Sequence, residues 1–110
     1  MASMLDRVQG SLDMMILKTL MTGTMHGWGI AHHIRMRSRE ALEVKQGALY
    51  PALHRLEAKG FLAEEWGLTD TNREAKFYRL TPAGRKQLAS ELERWRDYSR
   101  VMTAALAASR

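Results

Sequence analysis

Five residues spaced along one stretch of this chain carry chemistry suited to binding: Gln46, Tyr50, His54, Arg55 and Lys59. Their spacing sets them on the polar face of one helix. A Gln amide matches the donor–acceptor edge of adenine in a bidentate pair. Arg and Lys neutralise phosphate, and a phenol or imidazole reaches either phosphate or a base edge. Two further cations, Arg73 and Lys76, lie in and beside a turn-rich stretch and are phosphate candidates. Each residue also has a plainer reading. Tyr50 packs half-buried on a neighbouring turn. Gln46 is a solvated residue or a cap. Arg55 pairs with Glu57 or another local carboxylate. Arg73 and Lys76 are ordinary exposed charges.

The same residue types exclude other chemistry. The chain has no cysteine, which removes disulfides, thiolate metal sites and a cysteine nucleophile. The histidines, His26, His32, His33 and His54, show no spacing that sets two of them and a carboxylate on one face, so no metal is expected. No nucleophile–base–acid set and no phosphate-cradling glycine loop emerges. The expectation is a protein that is not an enzyme and needs no cofactor.

The elements that must position these side chains follow from periodicity. Residues 11–22 read as a first helix, with Ser11 as N-cap, Asp13 in the first turn and Gly23 as the stop. Residues 26–37 read as a second, with Gly27 and Gly29 in its opening turn, where a neighbouring backbone has room to approach. Leu42-Glu43-Val44 alternates as a short strand would. Residues 47–59 read as a third helix, held by a stripe of Leu49, Ala52, Leu53 and Leu56. Pro51 is expected in its first turn, where a missing N–H costs little, and Gly60 just past its end. Then the period changes to two. Residues 61–68 and 75–81 read as strands of a hairpin with a protruding polar loop.

Thr81 as N-cap and Pro82 at the first helical position open a last helix expected to run to about residue 108. Leu88, Leu92, Trp95, Ser99, Met102 and Leu106 recur on it with heptad-like spacing, broken once by a polar residue. A helix of about 25 residues is about 38 Å long, more than a 12.6 kDa domain covers. Its second half needs another chain, and a homodimer is expected. Trp28 and Trp66 read as packing residues, and the methionines as adaptable filling.

Composition agrees with one soluble domain. The chain has 110 residues, 45% apolar and 26% charged, with a formal net charge of +5. Basicity favours a polyanionic partner. The charge sits in residues 26–60, with six Lys and Arg against three Asp and Glu. Residues 61–81 carry three against four, so only the tip of the hairpin is basic. No run is apolar enough to span a membrane and no secretory signal is visible, so a cytoplasmic protein is expected.

Three helices, a hairpin and a long helix are the order of a winged helix-turn-helix. The fold class is mainly α with a small antiparallel β-hairpin. Residues 1–81 would be the winged helix-turn-helix domain and residues 82–110 a C-terminal dimerisation helix. The third helix would enter a major groove and the hairpin would be the wing.

The residues themselves then become familiar. Gln46-Gly47-Ala48-Leu49-Tyr50-Pro51-Ala52-Leu53-His54-Arg55-Leu56-Glu57-Ala58-Lys59-Gly60 resembles the recognition helix of the PadR family of transcriptional regulators. Asn72 to Gly84 is similar to that family's wing strand and last-helix entry, and His26-Gly27-Trp28-Gly29-Ile30 also fits. Glu74 departs from the pattern, which bears on wing contact and not on the fold. The resemblance implies a homodimeric repressor that binds double-stranded DNA and dimerises through its last helix, in the small subgroup with a single terminal helix. For some members of that subgroup it also implies a flat apolar effector held between tryptophans, and Trp95 lies at the matching place. Trp95 itself reads as either interface filler or ligand contact. The alternative to DNA binding is a dimeric small-molecule-binding or protein-interaction module.

Overall fold

The computed structural model describes residues 4–107, with side chains from residue 11 onward. Its elements are α1 (Met4–Leu20), β1 (Met25–His26), α2 (Gly27–Arg37), α3 (Gln46–Ala58), β2 (Leu62–Leu68), β3 (Glu74–Leu80) and α4 (Pro82–Ala107). The three strands form one antiparallel sheet in the order β1-β3-β2. This is a winged helix-turn-helix with a long C-terminal helix, as the sequence predicts.

The core lies where α1, α2, α3 and the inner face of the sheet meet. Ile16, Leu17, Ile30, Leu49 and Leu53 are fully buried there, with Leu56, Leu62 and Leu80 around them. The α3 stripe is buried as its spacing demands, and the helix ends in a Schellman turn. Gly60 has φ +80° and donates to the Glu57 carbonyl at 2.9 Å, and the Phe61 N–H donates to the Leu56 carbonyl at 2.9 Å.

Several expectations are corrected. The first helix begins at Met4, seven residues early, because nothing between residues 4 and 11 is a strong breaker and a lone Gly10 costs a helix only about 1 kcal/mol. Ser11 is therefore inside α1, not its N-cap. Residues 42–44 form no strand: Val44 packs on the core, but no strand pairs with this segment. The third strand is instead Met25–His26, which pairs with Tyr78 and Phe77 of β3. Helix α3 starts at Gln46, so Pro51 lies in its second turn, not its first. The carbonyl that Pro51 cannot meet belongs to Gly47, which is exposed and open to solvent. Trp28 and Trp66 are not packing residues, since each is 68% exposed.

Helix α4 has 26 residues, about 39 Å at 1.5 Å per residue. Its first half packs on α1 and β3, and its second half leaves the domain. The radius of gyration is 15.6 Å, against about 13 Å for a compact chain of this size. Residues 108–110, where the last helix was expected to end, lie outside the described residues. Among the described residues no helix is long and apolar enough to cross a membrane.

One junction fixes where α4 departs. The Thr81 hydroxyl accepts from the Gly84 N–H at 3.0 Å and donates to the Gly60 carbonyl at 2.6 Å. The Thr81 N–H donates to the Phe61 carbonyl at 3.1 Å. Gly84 then packs so closely that a Cβ would overlap that same Phe61 carbonyl and stand 2.8 Å from Leu80 Cδ1. Gly84→Ala should therefore lower unfolding free energy by about 3 kcal/mol, read from urea titrations at fixed protein concentration.

Candidate nucleic-acid interface

Gln46, Tyr50 and His54 follow one another at four-residue intervals on the exposed side of α3. Leu49, Ala52, Leu53 and Leu56 hold the other side down, so the polar row faces outward by necessity. Tyr50 is placed by a close fit. A Cβ on Gly27 would come within 2.9 Å of the Tyr50 hydroxyl oxygen, so any side chain at the start of α2 would displace this ring. The close approach expected at Gly27 is thus made by a side chain, not a backbone. Tyr50 packs and remains partly exposed at once.

Beside this row opens a cleft of about 730 Å³. Its walls are Tyr50 and His54 of α3, the α2 start at His26, Gly27 and Trp28, and the wing from Thr69 to Tyr78. Arg73 and Lys76 line it too, so four of the seven predicted contact residues share one cleft. Gln46 lies on the other side of Trp28, in a smaller groove of about 200 Å³ with His32 and Arg35. Lys59 is exposed at the C-terminal end of α3, away from the cleft.

Arg55 is engaged elsewhere. Its guanidinium donates to Asp13 Oδ1 at 2.9 Å, joining α3 to α1 across 42 residues of sequence. Asp13 is thus a mid-helix partner and not a first-turn residue. Lys76 is also paired, with its Nζ 3.2 Å from Glu64 Oε1 and 5.7 Å from the Trp66 ring centre. Glu64 Oε2 is buried and has no hydrogen-bond partner among the described residues. Burial and the neighbouring Glu64 push the Glu57 carboxyl up, while the neighbouring Glu57 and Lys76 hold Glu64 below its usual range. Burial, then the charges of Glu64 and Glu57, raises Tyr78.

The wing loop is braced by its own hydroxyls. The Arg73 N–H donates to Thr69 Oγ1 at 3.2 Å, and Asn72 takes a left-handed φ of 62° to close the turn. The Arg73 side chain is left exposed at the tip.

The model of the PadR-like family of transcriptional regulators matches residues 16–90. This chain belongs to that family. It is similar to transcriptional regulator Rv3488 of Mycobacterium tuberculosis, 48% identical over 54 residues, which are 49% of this chain and 50% of that one. A solved transcriptional regulator from Clostridium thermocellum superposes with a TM-score of 0.81 at 31% identity, over 90% of this chain and 96% of that one. Bacillus subtilis PadR, solved in complex with operator DNA, matches with a TM-score of 0.66 at 28% identity. That match covers 74% of this chain and 46% of the other.

Within this PadR-like chain, sequence reasoning missed the α2 start. The His26 Nδ1 accepts the Gly29 N–H at 3.0 Å and caps the helix. Trp28 stacks on His32, with ring centres 5.0 Å apart and planes 6° apart, and stands between the cleft and the Gln46 groove. The signal was the Gly on each side of Trp28, which marked a crowded turn. The seam on α4 also divides. Leu88 is 2% exposed and belongs to this protomer's own core, with Leu92 half-buried against it. Trp95, Met102 and Leu106 are exposed and Ser99 half-exposed, with Tyr98 and Val101 adding to the apolar surface.

Asp13 offers a pH test of how α3 is anchored. Burial raises its carboxyl above the ordinary value of 3.8, outweighing the hydrogen bond and charge of Arg55. A carboxyl raised on folding contributes stability that is full below its unfolded pKa and is lost as pH rises through its folded pKa. The stability of the wild type relative to Asp13→Asn should therefore fall as pH rises from 3.8 and level off above the folded pKa. Paired urea titrations across the acid range measure this. A difference that grew with pH would mean that pairing, not burial, dominates.

Proposed function

We propose that this chain is a homodimeric, DNA-binding repressor that acts in the cytoplasm. The observation that carries the reading is the cleft that joins the exposed row of α3 to the basic tip of the wing. Helix α3 enters a major groove, where Gln46 reads adenine and Tyr50 and His54 meet base edges or phosphate. Arg73 and Lys59 neutralise backbone phosphates on either side. Arg55 acts mainly as the tether to Asp13 that holds α3 at its depth. The operator complex of Bacillus subtilis PadR supports this reading by likeness of fold and family.

Two copies join through the second half of α4, with Trp95, Ser99, Met102 and Leu106 as the seam and residues 82–110 as the dimerisation element. Leu88 and Leu92 brace that helix on its own domain. The two-fold axis then sets a pseudo-palindromic operator, with half-sites about one helical turn, roughly 34 Å, apart or a multiple of it. Trp95 and Tyr98 stand as neighbouring rings 6.2 Å apart. A small apolar or aromatic effector stacks there between protomers and releases the repressor by favouring another angle between the two α4 helices.

Fluorescence anisotropy tests the DNA reading directly. A duplex selected by the protein from a randomised pool should bind about 10³-fold more tightly than its scrambled version at physiological salt. Arg73→Ala should reduce the salt slope by about one, and Tyr50→Ala should weaken binding to the selected duplex without that change. Binding to the two duplexes with equal affinity would leave the alternative of an interaction module.

Sedimentation tests the dimer separately. Trp95→Glu should convert a dimer into a monomer of unchanged helix content, because the ring is 51% exposed and contributes little to the protomer core.

A further inference from the structure

A second concavity, a groove of about 360 Å³, lies between the C-terminal halves of α1 and α2. It shares no lining residue with the cleft beside α3 or with the seam on α4. Its base is formed by the buried Thr19 and Ile34 and the half-buried Met15. Lys18, His33 and Arg37 stand around that base, and no carboxylate lines it. Lys18 and Arg37 are exposed and His33 is half-buried. Among the described residues none of these three makes a hydrogen bond or an ion pair. Arg35, on the same helix as Arg37, is by contrast paired with Glu40 at 3.2 Å. Cations near a helix C-terminus offset its dipole, but two helix ends together carry only about one negative charge. Lys18 and Arg37 exceed that between them, and His33 adds a further donor.

The hydroxyl hydrogens at the groove are already committed. Thr19 donates to the Met15 carbonyl at 2.8 Å, Thr22 to the Thr19 carbonyl at 2.7 Å and Ser38 to the Arg35 carbonyl at 3.0 Å. Each hydroxyl therefore offers a ligand only lone pairs, and an anion must lie against Lys18, His33 and Arg37. Three separate donor groups match the three terminal oxygens of a phosphate monoester, whereas a carboxylate has only two. Met15 and Ile34 beside them are apolar, so the part of the ligand that carries the phosphate must be apolar too. A groove of this volume falls at the small end of the range for ligand sites, about 300–1,000 Å³.

We propose that this groove binds a small phosphate monoester with an apolar body, its phosphate held by Lys18, His33 and Arg37 and its body lying over Met15 and Ile34. The site goes beyond the DNA-binding reading and does not depend on it. It does border the link into α3. Ser38, next to Arg37, also accepts the Leu42 N–H at 3.1 Å. The residues it spans include Arg39 and Glu40, with φ of 55° and 65°, left-handed values that non-glycine residues rarely adopt. A ligand drawn against Arg37 therefore bears on the segment that leads to α3.

Phenyl phosphate is the probe, with inorganic phosphate and benzoate as comparisons, each titrated into the full chain while amide NMR shifts are followed. Phenyl phosphate should saturate, with the moving amides centred on residues 18–22 and 33–42. It should bind roughly tenfold more tightly than inorganic phosphate, which lacks the apolar body, and than benzoate, which lacks the third oxygen. Lys18→Ala and Arg37→Ala should each weaken it roughly tenfold, while Arg73→Ala at the cleft leaves it unchanged. Thermal midpoints of these variants without the probe should match the wild type, because Lys18 and Arg37 are exposed and unpaired among the described residues. No saturable shift at the groove would overturn the proposal. So would shifts confined to the amides around Arg73, which would place the probe in the cleft. Benzoate binding as tightly as phenyl phosphate would overturn the phosphate assignment, and inorganic phosphate binding as tightly would overturn the apolar one. Affinity unchanged in both Lys18→Ala and Arg37→Ala would remove the site.

Discussion

The placement of α4 on the winged domain depends on the junction around Thr81. One hydroxyl caps α4 through the Gly84 N–H and holds the Gly60 carbonyl, while the neighbouring Phe61 carbonyl takes the Thr81 N–H. The last turn of α3, the end of β3 and the first turn of α4 therefore share one small hydrogen-bonded unit. Gly84 lets these backbones touch, and any Cβ there would displace Phe61. The angle at which the long helix leaves is set first by this backbone contact, with Leu88 and Leu92 packing the following turns on the domain. That makes it a stiff coupling between the α3 surface and the far end of α4.

A second set of constraints fixes the depth and tilt of α3. Its apolar stripe holds one side. Arg55 ties it to α1, and Gly27 admits the Tyr50 ring against the start of α2. At its far end Glu57 and Glu64 face each other beside Lys76. Two carboxylates so placed repel, unless a proton or a cation lies between them. Lys76 supplies the cation, 3.2 Å from Glu64 Oε1. The charged residues that a linear reading would give to a ligand are thus partly used within the fold. Arg55 is spent on position, and Lys76 divides its donors.

The pattern of what the sequence revealed follows from the range of each interaction. The α3 stripe, the Gly60 stop and the Thr81–Pro82 start depend on neighbours within four residues, and all were legible. Strands β2 and β3 were legible from their alternation. Strand β1 was not, because two residues are too few to show a period and its partner lies some fifty residues later. The Arg55–Asp13 pair spans 42 residues, so no local rule selects Asp13 over Glu57. Pro51 is the sixth residue of α3 and would be the fifth from residue 47, so it lies in the second turn on either boundary. Hydrophobic type did not predict burial for Trp28 and Trp66. On the heptad-like seam, periodicity marked a face but could not say which partner covers it. Leu88 is covered by its own domain, while Trp95 lies beyond the domain's reach.

That division of the seam matters for how such a protein responds to anything bound at its far end. Leu88 and Leu92 clamp the first turns of α4 to its own domain, so the helix and the domain move as one body. A helix of about 39 Å turns a tilt of about 10° at one end into a displacement of about 7 Å at the other. Such a shift is a fifth of the spacing between neighbouring half-sites on one DNA face, roughly 34 Å. It exceeds the tolerance of a bidentate base contact, which weakens steeply as hydrogen-bond angles fall. In the dimer proposed above, a ligand would need only to prefer one α4 angle over another, with no path of altered side chains through the core. The rigid Thr81 junction makes this workable. A loose joint would absorb the tilt before it reached α3, whereas backbone contacts at Gly84 and Phe61 pass it on.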